Sequence, residues 1–69
     1  MIIPALVLTT FQGCDGGTYK LSVLNPTDLE ESEIEVFEDK EKAELVIKAI
    51  QTYIAIVLGK HLPVMRINN

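Results

Sequence analysis

Hydrophobic and polar positions along this chain alternate with two different periods, and the change of period divides it into five elements. Ile2 to Phe11 is rich in Ile, Val, Leu, Thr and Phe and reads as a strand. Its two faces, Ile3, Ala5, Val7, Thr9, Phe11 and Ile2, Pro4, Leu6, Leu8, Thr10, are both apolar, which is the mark of a central strand covered on both sides. Pro4 confines its first residues to an edge or a bulge. Gln12 to Gly17 has the glycines and aspartate of a tight turn. Thr18 to Leu24 then alternates Tyr19, Leu21 and Val23 against Thr18, Lys20 and Ser22, so it pairs back as a half-buried hairpin strand. Asn25 and Pro26 end it, because proline lacks a ladder donor and restricts the residue before it.

After a polar connection from Thr27 to Glu31, Glu33 to Glu38 reads as a third strand. Period two places Ile34 and Val36 on one face and Glu33, Glu35 and Phe37 on the other. The period then becomes helical. Asp39 is the expected N-cap of a helix reaching to about Lys60, with Glu41 and Glu44 where the dipole favours anions, Gly59 as a terminator and Pro63 forbidding continuation. Val64 to Ile67 is a short last strand. The order β-β-β-α-β predicts one α+β domain spanning residues 1–69, a small two-layer fold with one helix packed across a mostly antiparallel sheet. The last strand returns either beside the third or at the opposite edge.

The helix carries more apolar surface than one sheet can cover. Ala43, Val46, Ile47, Ile50, Tyr53, Ile54, Val57 and Leu58 form a broad stripe facing the sheet. Leu45, Ala49 and Ile56 form a second stripe, leaving a narrow polar band of Glu41, Glu44, Lys48 and Gln51. A core of this size supplies roughly 3 to 5 kcal/mol without a disulfide, metal or partner chain. Both observations point to a homodimer, with Leu45, Ala49 and Ile56 as its expected interface.

Charge adds a direction. Nine of the ten acidic residues lie between Asp28 and Glu44, giving that segment −7 against −4 for the whole chain. With a pI near 4.7 and only one arginine, the chain is not expected to bind nucleic acid directly. An acidic run instead suits a basic protein surface, such as the groove of a nucleic-acid-binding protein. Glu30, Glu31, Glu33 and Glu35 are the expected contact residues. On the assigned face Glu33 and Glu35 stand about 6.6 Å apart, with Phe37 beside them as an aromatic anchor, or else turned into the core through a bulge before the helix. The same acids could serve only to keep an edge strand solvated. Small acidic inhibitors that imitate nucleic acid, including phage-encoded ones, share this character.

The remaining chemistry is sparse. Cys14 is the single cysteine and His61 the single histidine, so neither a disulfide within the chain nor a Cys/His zinc site is available. Cys14 lies beside Asp15, which raises a thiol pKa, and nothing in the sequence brings His61 to it. Gly13 to Gly17 precedes a strand, whereas a phosphate loop opens a helix. The acidic run lacks the glycine of a tightly bent Ca²⁺ loop. No enzymatic activity, cofactor or metal is expected. The start is apolar but lacks the basic n-region of a signal peptide, and Tyr53 to Leu58 is too short to span a bilayer. A cytoplasmic, reducing setting is the expectation. The chain is thus expected to be a non-enzymatic module that binds a basic partner, or alternatively an assembly subunit acting through homo-oligomerisation.

Overall fold

The computed structural model describes residues 4–13 and 16–68. Cys14 and Asp15 of the expected turn lie outside them, as do Ile2 and Ile3 of the expected first strand. The elements are β1 (Ala5–Gly13), β2 (Gly16–Leu24), β3 (Glu31–Phe37), α1 (Lys40–Leu58) and β4 (Val64–Asn68). They form one helix on a four-strand mixed sheet of order β3-β2-β1-β4. Antiparallel pairing joins β1 to β2 and β2 to β3, while β4 runs parallel to β1 at the opposite edge from β3. β1 is therefore an inner strand, as its two apolar faces require.

One face of the sheet packs on the helix. Leu6 and Leu8 of β1, Leu21 of β2, Ala43 and Ile47 of α1, and Leu62 form the buried cluster, with Tyr19, Val23, Phe37, Val46, Ile50, Ile54 and Val64 against it. The helix positions 43, 46, 47, 50 and 54 follow the three-and-four spacing of one helix face. From Ala43 to Ile54 the helix rises about 17 Å. That length matches the covered part of β2 from Tyr19 to Val23, about 14 Å. Val57 and Leu58 lie beyond it and pass the end of the core, and Tyr53 stands on the flank of the stripe, so all three are exposed rather than packed on the sheet. Leu62, which has no place in a periodic pattern, is buried because Gln51 Nε2 donates to its carbonyl at 2.9 Å and turns the segment inward.

Both helix ends are closed as the sequence implies. Asp39 Oδ1 accepts from the Glu41 N–H at 2.9 Å. Gly59 takes the left-handed conformation, φ 64°, and donates to the Ala55 carbonyl. That geometry stops the helix at Leu58, short of Lys60. A two-point ion pair ties α1 to β4: Arg66 donates to Glu44 at 2.6 and 3.2 Å. The guanidinium hydrogen bonds hold the Glu44 carboxyl below its usual range and raise the arginine.

Two outcomes follow. Ile47→Ala removes a side chain that is 2% exposed at the centre of the helix–sheet core, and should cost about 2 to 5 kcal/mol in urea unfolding. Because Glu44 has a depressed folded pKa, its contribution is present above the unfolded value of 4.5 and is lost as pH falls through the folded value. Stability should therefore drop below about pH 4.5, and Arg66→Ala should flatten that part of the curve.

Candidate functional site

Two surfaces offer themselves: the acidic edge strand β3, and the face of the sheet turned away from the helix. A single irregularity shapes both. β3 pairs with β2 through Tyr19↔Phe37, Lys20↔Val36 and Leu21↔Glu35, then shifts to Ser22↔Glu33, Val23↔Ser32 and Leu24↔Glu31. Ile34 is the extra residue of a β-bulge.

Paired residues share a face, and a bulge reverses the alternation beyond it. Glu35 and Phe37 stand across from Leu21 and Tyr19 on the helix side, whereas Glu33 and Glu31 stand across from Ser22 and Leu24 on the opposite side. The expected one-sided row of Glu33, Glu35 and Phe37 is thus corrected. Phe37 packs against the core, so it is no exposed aromatic anchor. Val36 lies on the open side instead, 45% exposed. What the bulge leaves is an edge strand with acids on both sides. Six of its seven residues, Glu31 through Val36, are exposed.

The connection into β3 is a closed loop. Asn25 N–H donates to the Glu30 carbonyl and Leu29 N–H to the Asn25 carbonyl, both at 2.8 Å. Asn25 Oδ1 accepts from Thr27 N–H and Asp28 Oδ1 from Glu30 N–H. Leu29 adopts a positive φ of 61°, uncommon for a leucine, and is 73% exposed between Asp28 and Glu30. An exposed apolar residue therefore does stand among the acids, and it is Leu29. No sequence signal marks it, since leucine carries no preference for that conformation. A concavity of about 330 Å³ lies beneath this loop, bounded by Pro4, Val23, Asn25, Pro26, Glu30 and Ser32.

Charges on β3 are mostly unshared. Among the described residues the ion pairs are Arg66–Glu44 and a long Lys20–Glu31 contact of 4.0 Å. Lys20 Nζ also lies 5.8 Å from the centre of the Phe11 ring. Glu35 accepts from the N–H of Val36 at 3.2 Å, so its carboxylate covers a backbone donor of the sheet edge.

The second surface is broader. Among the described residues no layer lies on the face opposite the helix, and the molecule is 15 Å through its shortest axis, the thickness of one sheet and one helix. Strand register arranges this face in rows. Val36, Lys20, Thr9 and Ile67 form one, and Glu33, Ser22, Val7 and Met65 form the next. Val7, Thr9 and Ser22 are buried by neighbouring side chains, and the Ser22 hydroxyl has no hydrogen-bond partner. Around them Phe11, Val36, Met65 and Ile67 are each 38 to 45% exposed.

The helix stripe expected to mediate assembly also faces outward. Leu45, Ala49 and Ile56 are exposed, with Tyr53 and Val57 alongside. Leu45 borders a shallow depression of about 440 Å³ with Lys40, Glu41, Glu44 and Lys48. Among the described residues no group of His, Cys, Asp and Glu is placed to hold a metal ion, and no helix is long and apolar enough to cross a membrane. Comparison with protein-family models, with curated proteins and with solved structures gives no match to this chain.

Proposed function

We propose that this chain is a non-enzymatic protein-binding module, working in a reducing, cytoplasmic setting, whose acidic edge engages a basic protein surface such as the groove of a nucleic-acid-binding protein. The observation that carries the reading is the form of β3. It is an edge strand, nearly all exposed, with Glu31 and Glu33 on one side and Glu35 on the other. Glu30 and Leu29 extend it into a loop fixed by four hydrogen bonds. A fixed negative rim steers a cationic partner, and the exposed leucine gives the contact a desolvated centre.

A second reading is supported by the outward stripe Leu45, Ala49 and Ile56. In it the chain is an assembly subunit that acts through homo-oligomerisation, and the acids serve solubility.

The acidic-edge reading is tested by capture from the host's lysate with a salt gradient, followed by titration of the recovered protein. The partner should be basic, and raising salt from 50 to 300 mM should weaken binding by at least about tenfold. Glu33→Lys with Glu35→Lys should abolish it at physiological salt. Unchanged affinity in that double variant would reject the reading.

A further inference from the structure

We infer that the open face of the sheet, and not the outer helix stripe, is where a second copy of this chain docks, with β3 of one copy lying over β4 of the other. A dimer closed through this face leaves Glu35 and the Leu29–Glu30 loop free for the acidic-edge reading, while Glu31 and Glu33, on the same side as the docked face, lie at its border.

Three features of the face argue for a second copy. The first is its symmetry. In the order β3-β2-β1-β4 the centre of the sheet falls between β2 and β1, at the Ser22–Val7 pair. Apolar side chains stand on both wings, Val36 on β3 and Met65 and Ile67 on β4. Small or buried residues, Ser22, Val7 and Thr9, lie between them. A two-fold axis running along the strands through that centre keeps each row at its own height and exchanges its ends. Val36 of one copy then faces Ile67 of the other, to within the shift of about one residue that a −30° sheet-on-sheet packing introduces.

The second feature is charge. Aligned stacking has one other two-fold solution, with the axis across the strands, and it lays β3 over β3. That would bring Glu31 and Glu33 of both copies together on facing strands, a like-charge contact. The along-strand axis separates the two acidic strands to opposite sides of the dimer. Each Lys20 brings its aliphatic stem to the face while its ammonium group is paired with Glu31.

The third is area. Four strands about 4.8 Å apart and about seven residues long give roughly 440 Å² of face in projection, more once side chains corrugate it. Two copies therefore bury on the order of 1,000 Å², the lower bound for a specific interface. The outer surface of one helix, about 10 Å across, offers less.

The test joins sedimentation of the wild type with nuclear Overhauser measurements on a mixture of differently labelled copies. Within one copy Val36 and Ile67 sit on opposite edges, about 14 Å apart, too far for a direct contact signal. The expected result is a dimer at micromolar concentration, with intermolecular signals between the methyl groups of Val36 and Ile67. Val36→Lys and Ile67→Glu should each weaken dimerisation roughly 100-fold, and mixing the two variants should restore it through the new opposite-charge pair. Leu45→Glu with Ile56→Lys should remain dimeric. A monomeric wild type, a mixture that stays monomeric although both variants fold, or intermolecular signals joining Leu45 and Ile56 in place of the sheet methyls would overturn the inference. The wild-type signals decide the matter even where a charged variant fails to fold.

Discussion

A sheet has two faces and a single helix covers one of them. The fold follows from how this chain meets that constraint. Ala43, Val46, Ile47, Ile50 and Ile54 close one side over Leu6, Leu8, Leu21 and Val23. The hydrophobic free energy of a molecule this small is concentrated there. The other side keeps Val7 and Thr9 from water only through the side chains around them, and the ring of larger residues at its wings stays half exposed. α1 also carries β3 at one edge to β4 at the other, so the two edge strands run parallel with two strands between them. The bidentate Arg66–Glu44 contact and the Gln51–Leu62 hydrogen bond hold the far end of that crossover in place.

The bulge at Ile34 decides how β3 is used. Without it, strict alternation would leave Phe37 and all three strand acids on a single side. With it, Phe37 seals the end of the core against Tyr19, Val36 turns to the open face, and the acids divide between the two sides. A protein that must expose an edge strand gains from this arrangement, since charge on both sides of an edge opposes indiscriminate strand addition. The same acids leave the edge open to a partner of opposite charge. Edge protection and the proposed binding of a basic partner thus draw on one set of side chains.

Much of the architecture was legible in the residues because local and global preferences agree. The alternation of β2, the two apolar faces of β1, Asp39 and Gly59 at the helix ends, and the three-and-four spacing of Ala43, Ile47, Ile50 and Ile54 each name an element and its buried side. The side assignments in β3 were not legible, because a bulge is a property of the pair of strands and Ile34 alone does not announce it. Leu62 and Leu29 are hidden for a related reason: their positions are set by the hydrogen bond Leu62 accepts from Gln51 and the one Leu29 donates to Asn25, and carry no periodic signal. The helix end was misjudged by geometry. Val57 and Leu58 have the right phase to face the sheet, but they lie beyond Ile54, the last helix residue on the core, and Tyr53 falls on the flank of the stripe. Surplus apolar surface was correctly read from the helix, while the wider surplus on the sheet required knowing which strands adjoin.

The proposed dimer completes this fold from outside, with a second copy on the face its own helix cannot reach. Its most direct measurement is the thermal midpoint of the wild-type chain as a function of protein concentration, because association of folded copies adds stability by mass action. Dimerisation through this face should raise the midpoint by several degrees between 1 μM and about 100 μM. A midpoint that stays constant across that hundredfold range would contradict it.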